Sequence, residues 1–212
     1  MFAWIGSGGI DLGERPTNMS DSEKVLVKLS APPIMFPSDW SSDGRYLVYY
    51  RTDTNSKIQL WVLPMFGDRK PFPFLHSEFD ESQGQVSPDG KWIAYVSDEA
   101  GAPQICVTSF PTPSGIQQIS SAGGIQPRWR RDGKELFYLA LDDELMAVTV
   151  RTSGTFDADS PRALFETRLP VSALRQAYSV SPDGQRFLLA VPTEAASPSM
   201  TLVQNWQGAL KK

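Results

Sequence analysis

Four Asp-Gly dipeptides cut this chain into copies of one unit, and that repetition constrains the fold more than any other feature. They are Asp43-Gly44, Asp89-Gly90, Asp132-Gly133 and Asp183-Gly184, spaced at about 45 residues. The copies read FPSDWSSDGRYLVYY, QGQVSPDGKWIAYVS, QPRWRRDGKELFYLA and QAYSVSPDGQRFLLA. Self-similarity at this period is the mark of propellers and solenoids.

Each copy obeys the same pattern around its turn. Three residues before the Asp stand Trp40, Val86, Trp129 and Val180, all apolar. One residue earlier stand Asp39, Gln85, Arg128 and Ser179, all polar. After the turn comes a nearly unbroken apolar run, such as Leu47-Val48-Tyr49 or Ile93-Ala94-Tyr95. Asp-Gly between two β-rich runs signals a hairpin, because the turn needs a positive φ that Gly adopts without steric cost. An unbroken apolar strand is one covered on both faces, as propeller blades cover one another.

A third strand is expected at 58–63, 104–108, 144–150 and 200–203, and a shorter fourth at 72–75, 117–120 and 163–165. The last unit has no fourth strand after Trp206. Pro/Gly/Ser loops such as SFPTPSG and SAGGIQP fall where a blade would turn. The expected fold is therefore all-β, a β-propeller of about four to five four-stranded blades, closed or incomplete. Repeats occupy 37–82, 83–125, 126–175 and 176–206, with a tail over 207–212. Residues 1–36 are either a partial blade or the source of a closing strand, Lys24–Leu29. In the first case Asp11-Leu12 begins the third strand of a blade whose first half is missing; in the second, Lys24–Leu29 completes the last unit.

Composition removes several function classes. A net charge of −4 leaves no basic stripe for nucleic acid, and the densest basic cluster is only Arg128, Arg130 and Arg131. The single cysteine, Cys106, cannot form an intrachain disulfide and lies in an apolar run, as a buried thiol would. No apolar run is long enough to span a bilayer as a helix, so no direct membrane insertion is expected. MFAWIGSGGI lacks the basic start of a signal peptide.

The chemistry-bearing residues mostly have structural explanations. His76, the only histidine, sits in a loop and lacks metal-ligand spacing. Asp142, Asp143 and Glu144, and likewise Asp157 and Asp159, lack the alternation of a calcium loop and suit solvated turns. The glycines at Gly6–Gly9 precede no helix, so they make no phosphate cradle. No G-x-S-x-G elbow is present. The recurrent aspartates shape turns, and Trp40 and Trp129 are expected to pack between blades. No cofactor, catalytic residue or metal ligand is expected.

One set of positions reads differently. Asp39, Gln85, Arg128 and Ser179 precede the apolar residue of the innermost strand, so they are expected at the mouth of the central channel. Their side chains differ between copies while the core positions agree. Variable polar groups on a repeated scaffold are where a ligand would be read. The competing reading has them satisfy one another, with Asp39 paired to Arg128.

SPDGKWIAYVS and SPDGQRFLLAV, and more loosely SSDGRYLVYY and RRDGKELFYLA, resemble the WD40-like β-propeller repeat of the TolB family over about residues 36–206. The stretch from FPSDWSSDG to YVSDEAG, with the ending TLVQNWQGALKK, also looks like the C-terminal propeller of membrane-bound bacterial Ser/Thr protein kinases. The resemblance implies a sensor or interaction module, extracytoplasmic and without its own kinase. This chain carries no Gly-rich loop with a partner Lys, no H-R-D loop and no D-F-G. The implied function is non-catalytic binding of a small ligand, glycan, peptide or protein. The alternatives are a TolB-type envelope assembly scaffold and the gating propeller of a prolyl-oligopeptidase-type peptidase. An open arc would also offer free sheet edges for a homodimer.

Overall fold

Three of the four Asp-Gly pairs close a turn held by the same small network. In the first, Ser41 Oγ donates to Asp43 Oδ1 at 2.6 Å, and the Arg45 N–H donates to the same oxygen at 3.0 Å. The Tyr46 N–H returns to Ser41 Oγ at 2.9 Å. Ser87 with Asp89, and Ser181 with Asp183, repeat the arrangement. The turn glycines have φ of 72°, 73°, 72° and 72°, the left-handed region that a side chain disfavours. In the third copy Arg130 replaces the serine. Its guanidinium grips Asp132 through two hydrogen bonds and reaches Glu135 as well. The same turn is thus built from different chemistry.

The computed structural model describes residues 2–6, 9–14, 24–28, 35–53, 55–75, 77–169 and 176–191, and among them there is no helix. The N-terminal sheet contains β1 (Phe2–Gly6), β2 (Gly9–Glu14) and β3 (Lys24–Lys28), in that order. Next comes a four-stranded sheet of β4 (Met35–Trp40), β5 (Tyr46–Thr52), β6 (Ile58–Pro64) and β7 (Phe72–Pro73). The following sheet repeats it with β8 (Glu81–Val86), β9 (Trp92–Ser97), β10 (Gln104–Ser109) and β11 (Gln117–Gln118). The third starts with β12 (Ile125–Trp129), β13 (Glu135–Leu139) and β14 (Glu144–Arg151). Here the outer position is shared: β15 (Asp157–Ala158) pairs with the end of β14, and β16 (Arg162–Glu166) with its start. A hairpin of β17 (Tyr178–Val180) and β18 (Phe187–Leu189) follows.

Among the described residues, all pairings are antiparallel between sequence neighbours, apart from the split outer position on β14. This is the up-and-down path of a propeller blade. The third and fourth strands fall where the sequence places them, except that 200–203 and Trp206 lie outside the described residues. Asp11-Leu12 lies in β2, and the Lys24–Lys28 strand pairs with β2. The described sheets do not close into a ring, as an incomplete propeller would not.

The core lies between sheets, not within one. Leu12, Val27, Leu47, Tyr49 and Leu63 join the N-terminal sheet to the next. Val48, Tyr50, Leu60, Ile93 and Tyr95 join the two full four-stranded sheets. Ala94, Val96, Ile105, Phe137 and Tyr178 carry the contact onward through the third sheet to the last hairpin. Alternate residues of one strand feed different clusters, which is why the strand after each turn is apolar throughout. Cys106 belongs to this interior, 7% exposed, and burial pushes its thiol up to about 11.

Candidate functional site

The innermost strands β4, β8 and β12 share a distortion. Their pairing with the next strand shifts between Pro37 and Asp39, between Ser82 and Gln85, and between Ile125 and Arg128. Such bulges re-aim side chains. In two of the three, a glutamine sits at the shift with positive φ: Gln83 at 56° and Gln126 at 57°. Both glutamines are buried, at 3% and 0% exposure.

These glutamines link one sheet to the next. Gln83 Oε1 accepts the Gln126 N–H at 2.7 Å. Gln126 Oε1 accepts the Ala177 N–H at 2.7 Å, and the Gln126 carbonyl accepts the Tyr178 hydroxyl at 2.8 Å. The Gln126 N–H, freed from its ladder at the bulge, is thus satisfied by the glutamine of the preceding sheet. The sequence signal was available: Gln stands six residues before the turn Asp in two copies. In the sequence alone, Gln83 and Gln126 stand out only as the first residues of their copies.

Asp39, Gln85 and Arg128 follow their bulges directly, and Ser179 lies on β17. Their roles differ. Asp39 Oδ2 accepts the Val86 N–H at 2.8 Å, tying β4 to β8. Burial raises the Asp39 carboxyl above its ordinary value, against the opposing pull of the Val86 and Trp40 N–H groups and of Arg128. Gln85 Nε2 donates to the Ser38 carbonyl at 2.7 Å, and Ser38 Oγ donates to the Gly84 carbonyl at 2.7 Å. Ser179 is exposed.

Arg128 stands apart. Its Nη1 donates to the carbonyl of its own neighbour, Pro127, at 2.7 Å. Its Nη2 is buried and has no hydrogen-bond partner among the described residues. The guanidinium carbon lies 6.0 Å from the centre of the Tyr178 ring. Burial lowers the guanidinium from its ordinary value, while Tyr178, Asp39 and Tyr50 oppose that shift. Asp39 and Arg128 feel each other's charge but form no ion pair within 4.0 Å. The ion pair of the competing reading is not formed; Asp39 Oδ2 accepts the Val86 N–H instead.

The remaining candidates sort simply. Trp129 packs between sheets as expected, its Nε1 donating to the Gln85 carbonyl at 2.9 Å. Trp40 does not: it is 38% exposed and donates to the Gly44 carbonyl within its own turn. Asp157 and Asp159 both hold Arg151, at 2.6 and 2.7 Å. Asp142 and Asp143 form the β13–β14 turn, with Asp143 at φ 69°. Gly6 and Gly9 face each other across the β1–β2 hairpin. His76 lies outside the described residues.

Comparison with known proteins supports the architecture. No family model matches the chain. A curated relative, the uncharacterized protein Atu1656 of Agrobacterium fabrum, is 25% identical over 169 residues, covering 77% of this chain and 53% of that protein. The chain thus spans about half the length of that relative. Among solved structures, TolB from Acinetobacter baumannii superposes with a TM-score of 0.66 at 18% identity, covering 91% of this chain and 45% of that one. A puromycin-hydrolyzing peptidase of Mycobacterium tuberculosis gives 0.62 at 15% identity, covering 86% and 32%. A prolyl endopeptidase gives 0.51 at 16% identity, covering 88% and 32%. The fold these structures share with the chain is the β-propeller, here an all-β arc whose described sheets are not closed.

Proposed function

We propose that this chain is a non-catalytic binding module that reads its ligand where the inner strands converge. The observation that carries this reading is Arg128, whose buried Nη2 has no partner among the described residues. The neighbouring Asp39, Gln85 and Ser179 add an acid, an amide and an exposed hydroxyl at equivalent positions of different sheets. One scaffold position thus offers four chemistries.

The finer reading rests on the sequence resemblance to kinase-fused propellers. The module would be the sensor or interaction part of a larger bacterial signalling protein such as a Ser/Thr kinase, on the extracytoplasmic face. A TolB-type assembly scaffold and a peptidase-gating propeller are the alternatives, and both kinds of protein occur among the structural neighbours. Self-association through the edges of an open arc belongs to the same proposal, and light scattering across a concentration series tests it.

The binding test is a thermal-shift screen of metabolites, glycans and short peptides against the chain and against a variant combining Arg128→Ala and Ser179→Ala. Ligands that stabilise the first and not the second support the module. Ligands that stabilise both equally place recognition elsewhere and overturn it.

A further inference from the structure

A cleft of about 200 Å³ opens on the second four-stranded sheet, lined from the end of β9, from β10, from β11 and from their connecting loops. The register explains the space. Tyr49, Tyr95 and Tyr138 hold one place in successive repeats, and the residues opposite them on the next strand are Trp61, Cys106 and Met146. In the first sheet Trp61 is bulky, and the Arg51 guanidinium carbon lies 3.7 Å from the centre of its ring. In the third sheet Met146 is long, and β16 runs beside it, with Ala163 as its partner. In the second sheet Cys106 is small, Ser97 stands where Arg51 stands, and the outer strand β11 is only two residues long. A place filled in two sheets is thus left open in one.

The polar groups of the cleft are of both kinds. Gln104 Oε1 accepts the Ser120 hydroxyl at 2.5 Å and the Gly123 N–H at 3.1 Å. Its Nε2 has no hydrogen-bond partner among the described residues and, unlike Arg128 Nη2, is not sealed from solvent. Gln118 is the reverse: its Nε2 donates to the Ser120 carbonyl at 2.7 Å, which leaves Oε1 to accept. The Glu99 N–H donates to Ser97 Oγ at 3.3 Å, and the exposed Glu99 carboxylate makes no ion pair within 4.0 Å among the described residues. Ile116, 54% exposed, adds an apolar wall.

We infer that this cleft takes one uncharged sugar ring, a pyranose. The inference goes beyond the inner-strand reading and places a second site on another part of the module. A void of about 150 Å³ holds benzene, so the cleft has room for a six-membered ring with substituents. A hydroxyl both donates and accepts. Neighbouring hydroxyls can therefore donate to the Glu99 carboxylate and to Gln118 Oε1, while Gln104 Nε2 donates to a sugar oxygen. The ring carbons lie against Ile116. An anion would meet Glu99, and a simple cation would leave the Gln104 donor unanswered. A few polar groups beside an apolar wall are the usual make-up of a small-molecule site.

The test is a titration of the ¹⁵N-labelled chain with glucose, galactose, mannose and N-acetylglucosamine, read in amide NMR spectra, because sugars raise Tm without binding. At least one should shift the Gln104 side-chain amide and the Ser97 and Gln118 backbone amides in a saturable way. Cys106→Ser, which keeps the cleft open, should leave those shifts in place. Cys106→Met, which puts the third sheet's residue into the second, should remove them. Glu99→Ala, at an exposed position where folding is not at stake, should weaken binding by about tenfold or more, the scale of a lost hydrogen bond to a charged group. If none of the four sugars shifts these signals, or if Glu99→Ala binds undiminished, the inference is overturned. Equal shifts with methylamine overturn it too, since the cleft would then be a cation site. A sugar that shifts only the Arg128 and Ser179 signals overturns it and leaves the inner-strand reading standing. Shifts at the cleft with those two silent support it whatever becomes of that reading.

Discussion

Trp129 and Trp40 occupy the same place in their repeats, three residues before the turn aspartate, yet they do different work. Trp129 reaches back to β8 and bonds its backbone, and its ring meets Phe156 edge-on at 6.4 Å. Trp40 folds over its own turn and stays 38% exposed. The difference lies in what precedes them. Behind β12 stands β8, an inner strand bulged at the same point, with a carbonyl at Gln85 to receive an indole. Behind β4 lie β1 and β2 of a three-stranded sheet whose register shift falls elsewhere, between Leu12 and Gly13 in the β2–β3 pairing. A repeat position acquires its role from the neighbour it docks on, not from its own side chain.

That contrast sets the largest predicted effect. Trp129→Ala should cost about 3–5 kcal/mol in chemical denaturation, through lost packing and an unpaired carbonyl. Trp40→Ala should cost about 1 kcal/mol or less, as surface changes do. Equal losses would break the comparison.

A second contrast is between carboxylates inside and outside the sheets. Glu81 is 3% exposed, accepts a hydrogen bond from Ser77 on one oxygen, and has no partner on Oε2 among the described residues. Burial, with lesser help from Glu99 and Asp98, pushes its carboxyl up to about 7. Because the folded value lies above the unfolded one, the folded state binds the extra proton. Stability therefore falls as pH rises from about 4.5 to 7, by roughly 3 kcal/mol. Glu81→Gln should flatten that part of the pH–stability curve. The exposed turn acids Asp43 and Asp183 run the other way. Their serine and backbone donors hold them below the usual value, so their contribution is lost only as pH falls through the acid range.

Gln126→Leu should cost about 1–3 kcal/mol, because the buried Ala177 N–H loses its acceptor. Gln59→Leu, at a half-buried site where the amide bonds carbonyls near the surface, should cost about 1 kcal/mol or less. The comparison sharpens if amide exchange at Ala177 accelerates in the first variant alone. A small effect is expected at the turns as well. Ser41→Ala should cost about 0.5–1.5 kcal/mol through one lost hydrogen-bond network, measured by urea denaturation.

Much of the fold was legible because turn chemistry is local. Asp-Gly requires a positive φ and serine two residues before Asp supplies the bracing hydroxyl, so hairpins at 43, 89 and 183 follow from a few residues each. The RRDG copy shows the margin of that code: it looks irregular in sequence, and Arg130 rebuilds the turn with its guanidinium. The site was legible only as a set of positions. Asp39, Gln85, Arg128 and Ser179 are equivalent by their place in the repeat, yet their roles differ in the structure. Asp39 and Gln85 prove to be straps between strands, Asp39 reaching forward to β8 and Gln85 back to β4, each beside the bulge of its own strand.

The period, the hairpin turns and the doubly apolar strands were determined by the sequence alone, since each depends on contacts within one unit or on a face pattern that any neighbour would satisfy. Which glutamine caps which freed amide, which tryptophan finds a carbonyl and which arginine keeps one buried nitrogen unbonded among the described residues were decided only in the tertiary structure. Those outcomes depend on the distance and angle between successive sheets, and no residue within a single repeat encodes them.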